Sequence, residues 1–127
     1  MTSYPDKPKL LVVDDEIEYC SLIEEYLADK YNVCLSYDGE EAVKKAKEFL
    51  PDCVLLDVKM PRMDGLTALE LIKASLPKTP VIMVSASGSI RVAEESLKRG
   101  AFDYIMKPVI LEELEEKIAS ALKFGVR

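Results

Sequence analysis

Five short apolar runs punctuate the chain: KLLVVD (9–14), NVCLSY (32–37), CVLLD (53–57), PVIMVS (80–85) and DYIMK (103–107). Four are nearly continuous or aromatic-rich, the pattern of strands covered on both faces. The second alternates, with Val33 and Leu35 set against Asn32, Cys34 and Ser36. It predicts an edge strand with one wetter face.

Between these runs the period changes to that of helices. Residues 16–29 put Tyr19, Leu22, Ile23, Tyr26 and Leu27 on one stripe, and residues 40–50 do so with Ala42, Val43, Ala46, Phe49 and Leu50. Asp64-Gly65 opens a third helix, with Asp64 as N-cap and Leu66, Leu69 and Ile72 facing inward. A fourth, near 89–99, has a thin inward stripe of Ile90, Ala93 and Leu97. That stripe leaves Val92 on the opposite side as a lone exposed aliphatic, with Ser87 and Ser89 as loop and cap residues. The fifth, 111–123, carries Leu111, Leu114, Ile118 and Leu122, with acids early and lysines late as the helix dipole favours. Gly100 and Gly125 stand where helices should stop. Strict alternation of strand and helix with short connections predicts a doubly wound α/β fold, (βα)5, around a five-stranded parallel sheet. Ligands of such sheets bind beyond the carboxyl ends of the strands.

Composition narrows the chemistry. The chain has 127 residues, 49% of them apolar, enough for one domain with one core. A net charge of −6 argues against broad binding to nucleic acid or anionic membrane. No apolar stretch is long enough to cross a membrane as a helix. The three cysteines, Cys20, Cys34 and Cys53, have no metal-binding or CxxC spacing and suit reduced thiols in a cytoplasmic protein. The sequence has no histidine, so chemistry must run on carboxylates, hydroxyls and lysines. Hard cations such as Mg²⁺ match such oxygen donors.

The strand ends then acquire meaning together. Asp14 and Asp15 end the first strand, Asp57 the third, Ser85 the fourth and Lys107 the fifth. Carboxylates converging at strand tips repel one another, which raises the pKa of at least one. A divalent cation removes that conflict, and a lysine and a hydroxyl add a charge and a donor. The set suits a group rich in anionic oxygens, most simply a phosphoryl group, with Asp57 as metal ligand or nucleophile.

Four segments, LLVVDDE, LLDVKMPRMDG, VIMVSAS and GAFDYIMKP, occur in order at compatible spacing. Through them the chain resembles the response-regulator receiver domain of two-component signalling. The resemblance covers about residues 8–123, with residues 1–7 as a flexible N-terminal arm and 124–127 as a tail or the start of a linker. It implies strand order 2-1-3-4-5, the flavodoxin-like form. It implies Asp57 as phosphoacceptor and Mg²⁺ held by Asp14, Asp15, Asp57 and the backbone carbonyl of Lys59, with Asp15 the more direct ligand of the acidic pair. Ser85 matches the switch hydroxyl, Ala86 the small residue that leaves the phosphoryl group accessible, Lys107 the phosphate-pairing lysine, and Tyr104 the aromatic switch. A cis Lys107-Pro108 peptide is implied as well, and Lys59 and Ser87 lie where the family tunes phosphoryl lifetime.

The implied function is a phosphorylation-activated switch, not an enzyme, that catalyses only its own phosphorylation and dephosphorylation. Its expected partners are a sensor histidine kinase and an output domain or protein reading the face of helix 4, strand 5 and helix 5. Direct nucleic-acid binding and membrane association are not expected, and a homodimer on activation is left open. The SASGSI and RGAFDYIMKP runs resemble receivers attached to ATPase-type transcriptional activators. Glu16 is expected as a first-turn acid facing water. An aspartyl phosphohydrolase would want a second acid two residues after its nucleophile, where this chain has Lys59. A flavin carrier would want a hydroxyl- and glycine-rich loop after strand 1, where this chain has acids.

Overall fold

The computed structural model describes residues 7–86 and 88–125. The expected arm at 1–7 therefore falls almost wholly outside the described residues, as do Ser87 and residues 126–127 of the tail. The elements follow one another as β1 (Lys9–Val13), α1 (Ile17–Leu27), β2 (Asn32–Ser36), α2 (Gly39–Phe49), β3 (Cys53–Leu56), α3 (Gly65–Ser75), β4 (Val81–Ser85), α4 (Ile90–Lys98), β5 (Asp103–Met106) and α5 (Leu111–Gly125). The five strands form one parallel sheet in the order β2-β1-β3-β4-β5. The α/β, doubly wound (βα)5 architecture expected from the alternation is present, and β2 is an edge.

Helices cover both faces, which is why the central strands carry no polar alternation. Leu10, Val12, Cys53, Leu55, Ile82 and Val84 point toward α1 and α5, where Cys20, Ile23, Leu27, Leu114 and Ile118 meet them. Leu11, Val13, Val54, Leu56, Val81 and Met83 point the other way, against Ala42 and Ala46 of α2 and Ala68, Leu69 and Ile72 of α3. Local signals set the helix starts. Asp38 and Asp64 cap α2 and α3 by accepting from the N–H groups of Glu41 and Thr67. Gly100 follows α4 with φ +108°, a left-handed conformation that glycine adopts freely. Among the described residues, no helix is long and apolar enough to cross a membrane.

Several side chains depart from the expected stripes. In α1 the inward face is Cys20, Ile23 and Leu27, while Leu22 is 51% exposed and Tyr26 half-exposed. Cys20 acts there as a small apolar residue. Tyr26 keeps its hydroxyl at the surface, donating to Glu115 of α5 at 3.4 Å. Leu50 is exposed because it is the left-handed C-cap of α2. On β2, Ser36 is not on a wet face but fully buried, its hydroxyl donating to Glu41 Oε1 (3.0 Å) and the Asp38 carbonyl (3.3 Å).

The largest correction concerns α4. Ile90 is 75% exposed and Leu97 50% exposed, so the stripe expected to face inward faces out. Val92 packs against the core and Ser96 is fully buried, reversing the side assigned to Val92. A serine can occupy that inner position because its hydroxyl donates to the Val92 carbonyl one turn back, at 2.8 Å, which satisfies it without a tertiary partner. The greasiest stripe of a helix is not its inner stripe when the inner positions are small and internally satisfied.

Candidate functional site

The register of the sheet levels the ends of β1, β2 and β3, and β4 and β5 end level with each other two residues further on. Val13 is opposite Ser36 and Leu56, Leu56 opposite Met83, and Ser85 opposite Met106. The residues that follow continue the ladder by one step. Asp57 N–H donates to the Val13 carbonyl (3.0 Å), Asp14 N–H to Ser36 (3.0 Å) and Lys107 N–H to Ser85 (2.9 Å). Backbone hydrogen bonds of the sheet therefore fix where these side chains begin.

Asp14 and Asp57 are buried, 1% and 7% exposed, while Asp15 lies at the surface. Carboxylate oxygens of the three lie within 4.8 Å of one another. The Lys107 ammonium stands 2.6 Å from Asp14 Oδ2, 3.4 Å from Glu16 Oε1 and 3.9 Å from Asp57 Oδ2. An open cleft of about 420 Å³ above them is lined by Asp15, Glu16, Asp57, Lys59, Ser85, Ala86 and Lys107. Ser85 is 2% exposed at the tip of β4. Tyr104 is half-buried and packs against the α2–α3–α4 side of the core. The Lys107-Pro108 peptide is cis, as the resemblance implied.

The electrostatics follow from this packing. Burial, with the Asp14 charge adding to it, pushes the Asp57 carboxyl up to about 6, against the opposing pull of Lys107 and the Val58 N–H. That N–H donates to Asp57 Oδ1 at 2.8 Å. Burial works to lower the Lys107 pKa, but its bond to Asp14 and the charges of Asp14 and Asp57 outweigh it, and the net direction is upward. The loop after Asp57 turns tightly into α3. Gly65 N–H donates to the Val58 carbonyl at 2.6 Å, and a Cβ at Gly65 would overlap the Asp57 carbonyl. Any larger residue there displaces the backbone that carries Asp57.

The donor set fits a hard divalent cation. All three candidate side-chain ligands are carboxylates, and two oxygens bound to one Mg²⁺ lie about 3–4 Å apart given its ~2.0–2.1 Å bonds, a modest closure from the present spacing. Lys59 borders the same cleft.

A protein-family profile described as the response regulator receiver domain matches residues 10–119. This chain belongs to the response regulator receiver family. Receivers of this family are phosphorylation-activated signalling switches of two-component systems and not enzymes with a turnover substrate. The chemotaxis protein CheY of Listeria monocytogenes is 41% identical over 117 residues, 91% of this chain and 98% of that protein. The transcriptional regulatory protein ZraR of Salmonella typhimurium is 40% identical over 91% of this chain. The chain spans about a quarter (26%) of the length of ZraR. Among solved structures, the receiver domain of a LuxO repressor protein from Vibrio parahaemolyticus has TM-score 0.88 and 29% identity, covering 94% of this chain and 92% of that one. A CheX–CheY complex with BeF3 and Mg from Borrelia burgdorferi contains a chain with TM-score 0.83 and 33% identity, covering 91% and 89%.

The structure thus brings together Asp14, Asp15, Asp57, Lys59, Ser85, Ala86 and Lys107, all expected from strand ends and motif. Two contributors were missed. Glu16 does not merely face water, since its carboxylate reaches the Lys107 ammonium. Tyr19, assigned to the core stripe of α1, places its ring under that ammonium, 4.5 Å from nitrogen to ring centroid. Its position one turn beyond the acidic pair was the only signal in the sequence.

Proposed function

We propose that Asp57 accepts a phosphoryl group from a histidine kinase and that the change is relayed through Ser85 and Tyr104 to the α4–β5–α5 face. The observation that carries this reading is Asp57 itself, a buried carboxylate at a strand tip, open to a cleft and flanked by Asp14 and Lys107. An Asp57 carboxylate oxygen attacks phosphorus, a P–O bond forms, the P–N bond to the kinase imidazole breaks, and the imidazole regains its proton from water. Hydrolysis reverses the state: water attacks phosphorus, the acyl P–O bond breaks, and inorganic phosphate leaves with Asp57 again a carboxylate.

Asp14, Asp15, Asp57 and the Lys59 carbonyl would hold Mg²⁺, which supplies charge neutralisation for the transferred oxygens. A relative in this family crystallised with BeF3 and Mg supports that choice. Lys107, 3.9 Å from Asp57, pairs with one new oxygen. Ala86, exposed beside Ser85, leaves the phosphorus open to attack. Ser85 moves to donate to another oxygen, and Tyr104 turns into the space released. The switch is a population shift, needing a preference of only a few kcal/mol for the active state. Output then passes to a partner protein or domain, in a cytoplasmic setting, with a transcriptional output suggested by the ZraR relatives.

The test is incubation with acetyl phosphate, with and without Mg²⁺, read by intact mass beside Asp57→Asn. The expected result is one base-labile phosphoryl group that requires Mg²⁺ and is absent from the variant. Equal labelling of Asp57→Asn removes the assignment. Ser85→Ala is expected to take up phosphate and fail to change the α4 face.

A further inference from the structure

We propose that Tyr19 is a positioning residue for Lys107, its ring face holding the ammonium in place for the phosphoryl group. The inference rests on the phosphoacceptor reading of Asp57 and extends it to a residue that no motif marks. The Lys107 ammonium lies among three carboxylates at unequal distances: Asp14 at 2.6 Å, Glu16 at 3.4 Å and Asp57 at 3.9 Å. These partners pull in different directions. Asp14 is buried in the floor, whereas the Glu16 side chain is 68% exposed and draws the lysine toward solvent.

The Tyr19 ring closes the remaining side, with the ammonium 4.5 Å from its centroid. A cation over an aromatic face is attracted by the ring quadrupole, more strongly where water is kept away. The Lys107 side chain is only 16% exposed, so that condition is met. The ring is itself fixed. Tyr19 lies on α1, which Ile23 and Leu27 anchor to the sheet, and it packs against the α1–α5 side of the core. α1 thus supplies Glu16 at its N-cap and Tyr19 one turn on. One group draws the lysine outward, and the other holds it over Asp14 and Asp57. With the ring in place, an oxygen added to Asp57 arrives within reach of an ammonium already oriented. Without it, the lysine divides its time between the floor and Glu16. Attraction to the ring, and not the phenol hydroxyl, is the working feature, so phenylalanine should serve and an aliphatic residue of similar breadth should not.

The test compares Tyr19→Leu and Tyr19→Phe with the unaltered chain by two readouts. The first is kcat/KM for phosphorylation by acetyl phosphate in Mg²⁺. Tyr19→Leu is expected to lower it roughly three- to tenfold, the range of a partly desolvated cation–π contact, while Tyr19→Phe stays within about twofold. The second needs no phosphoryl chemistry. Acylation of Lys107 by acetic anhydride, read by peptide mass, should speed up by a similar factor in Tyr19→Leu and not in Tyr19→Phe. Thermal melts show whether the variants fold. Should Tyr19→Leu destabilise the chain, the same pair of measurements on Tyr19→Met decides. Unchanged Lys107 acylation in folded Tyr19→Leu or Tyr19→Met overturns the inference, as does equal impairment of Tyr19→Phe. Failure of the unaltered chain to take up phosphate strikes instead at the reading of Asp57 and leaves the acylation result to decide the role of Tyr19.

Discussion

The two halves of the sheet are built differently. In β1 and β3 nearly every residue is buried, and Asp14 and Asp57 extend from those strands with backbone bonds that continue the ladder. Across β4 the packing thins. α4 buries one residue, Ser96, and β5 has no fully buried position. The proposed phosphoacceptor Asp57 and the buried Asp14 thus sit on the densely packed strands, and Lys107 and the proposed relay residue Tyr104 sit on the sparse side. A site for group transfer gains from fixed geometry, whereas a switch element needs a low cost of rearrangement. On the proposed function, the phosphoacceptor stands on the packed strands and the relay on the looser elements beyond β4.

The contrast can be broken by mutation. Leu56→Ala empties a fully buried position of β3 and is expected to cost about 3 kcal/mol in urea unfolding, within the range for buried leucines. A loss below about 1 kcal/mol would mean that the β1–β3 half is not the dense one.

Asp57→Asn is expected next in size, and with the opposite sign. The folded protein holds the Asp57 carboxyl near 6, above its ordinary 3.8. The folded state therefore binds the proton more tightly than the unfolded chain, so stability from this group is greatest below about pH 4 and falls as pH rises through 6. Without divalent cation at pH 8, Asp57→Asn should be more stable than the unaltered chain by roughly 2 kcal/mol. That gap should vanish near pH 4. Adding Mg²⁺ should raise the melting temperature of the unaltered chain more at pH 8 than at pH 5, because the ligands bind deprotonated. A gap that widens on acidification would contradict the burial account of Asp57.

The sparse half should respond weakly. Val92→Ala on α4 is expected to cost about 1 kcal/mol, since Val92 packs against the core but is only half-buried. Ser96→Ala should fall within about 0.5 kcal/mol, because the lost bond is to the helix's own Val92 carbonyl. A cost for Ser96→Ala as large as that for Leu56→Ala would erase the distinction between the halves.

Much of this was legible in the sequence because the strands are covered on both faces and end abruptly in charge. Runs such as CVLLD announce both the strand and the residue at its tip. The site could be assembled from those tips because a parallel sheet brings all its carboxyl ends to one edge. The orientation of α4 was not legible. Ile90 and Leu97 outweigh Val92 and Ser96 in any count of apolar residues, yet the smaller pair fits against the core. Leu22 and Tyr26 misled in the same way, since Cys20 was not credited as an apolar residue. The contact of Tyr19 with Lys107 joins residues distant in sequence and depends on how α1 packs against β1, β2 and α5, which no local pattern encodes.

The most direct test of the division of labour is hydrogen exchange by mass spectrometry, with and without acetyl phosphate and Mg²⁺, on protein whose phosphoryl gain is verified by mass. The account predicts that amides of α4 and β5, residues 90–106, change their exchange severalfold, while β1 and β3 remain equally protected in both states. A change confined to the loops that carry Asp15 and Lys59, or spread evenly through the sheet, would contradict it.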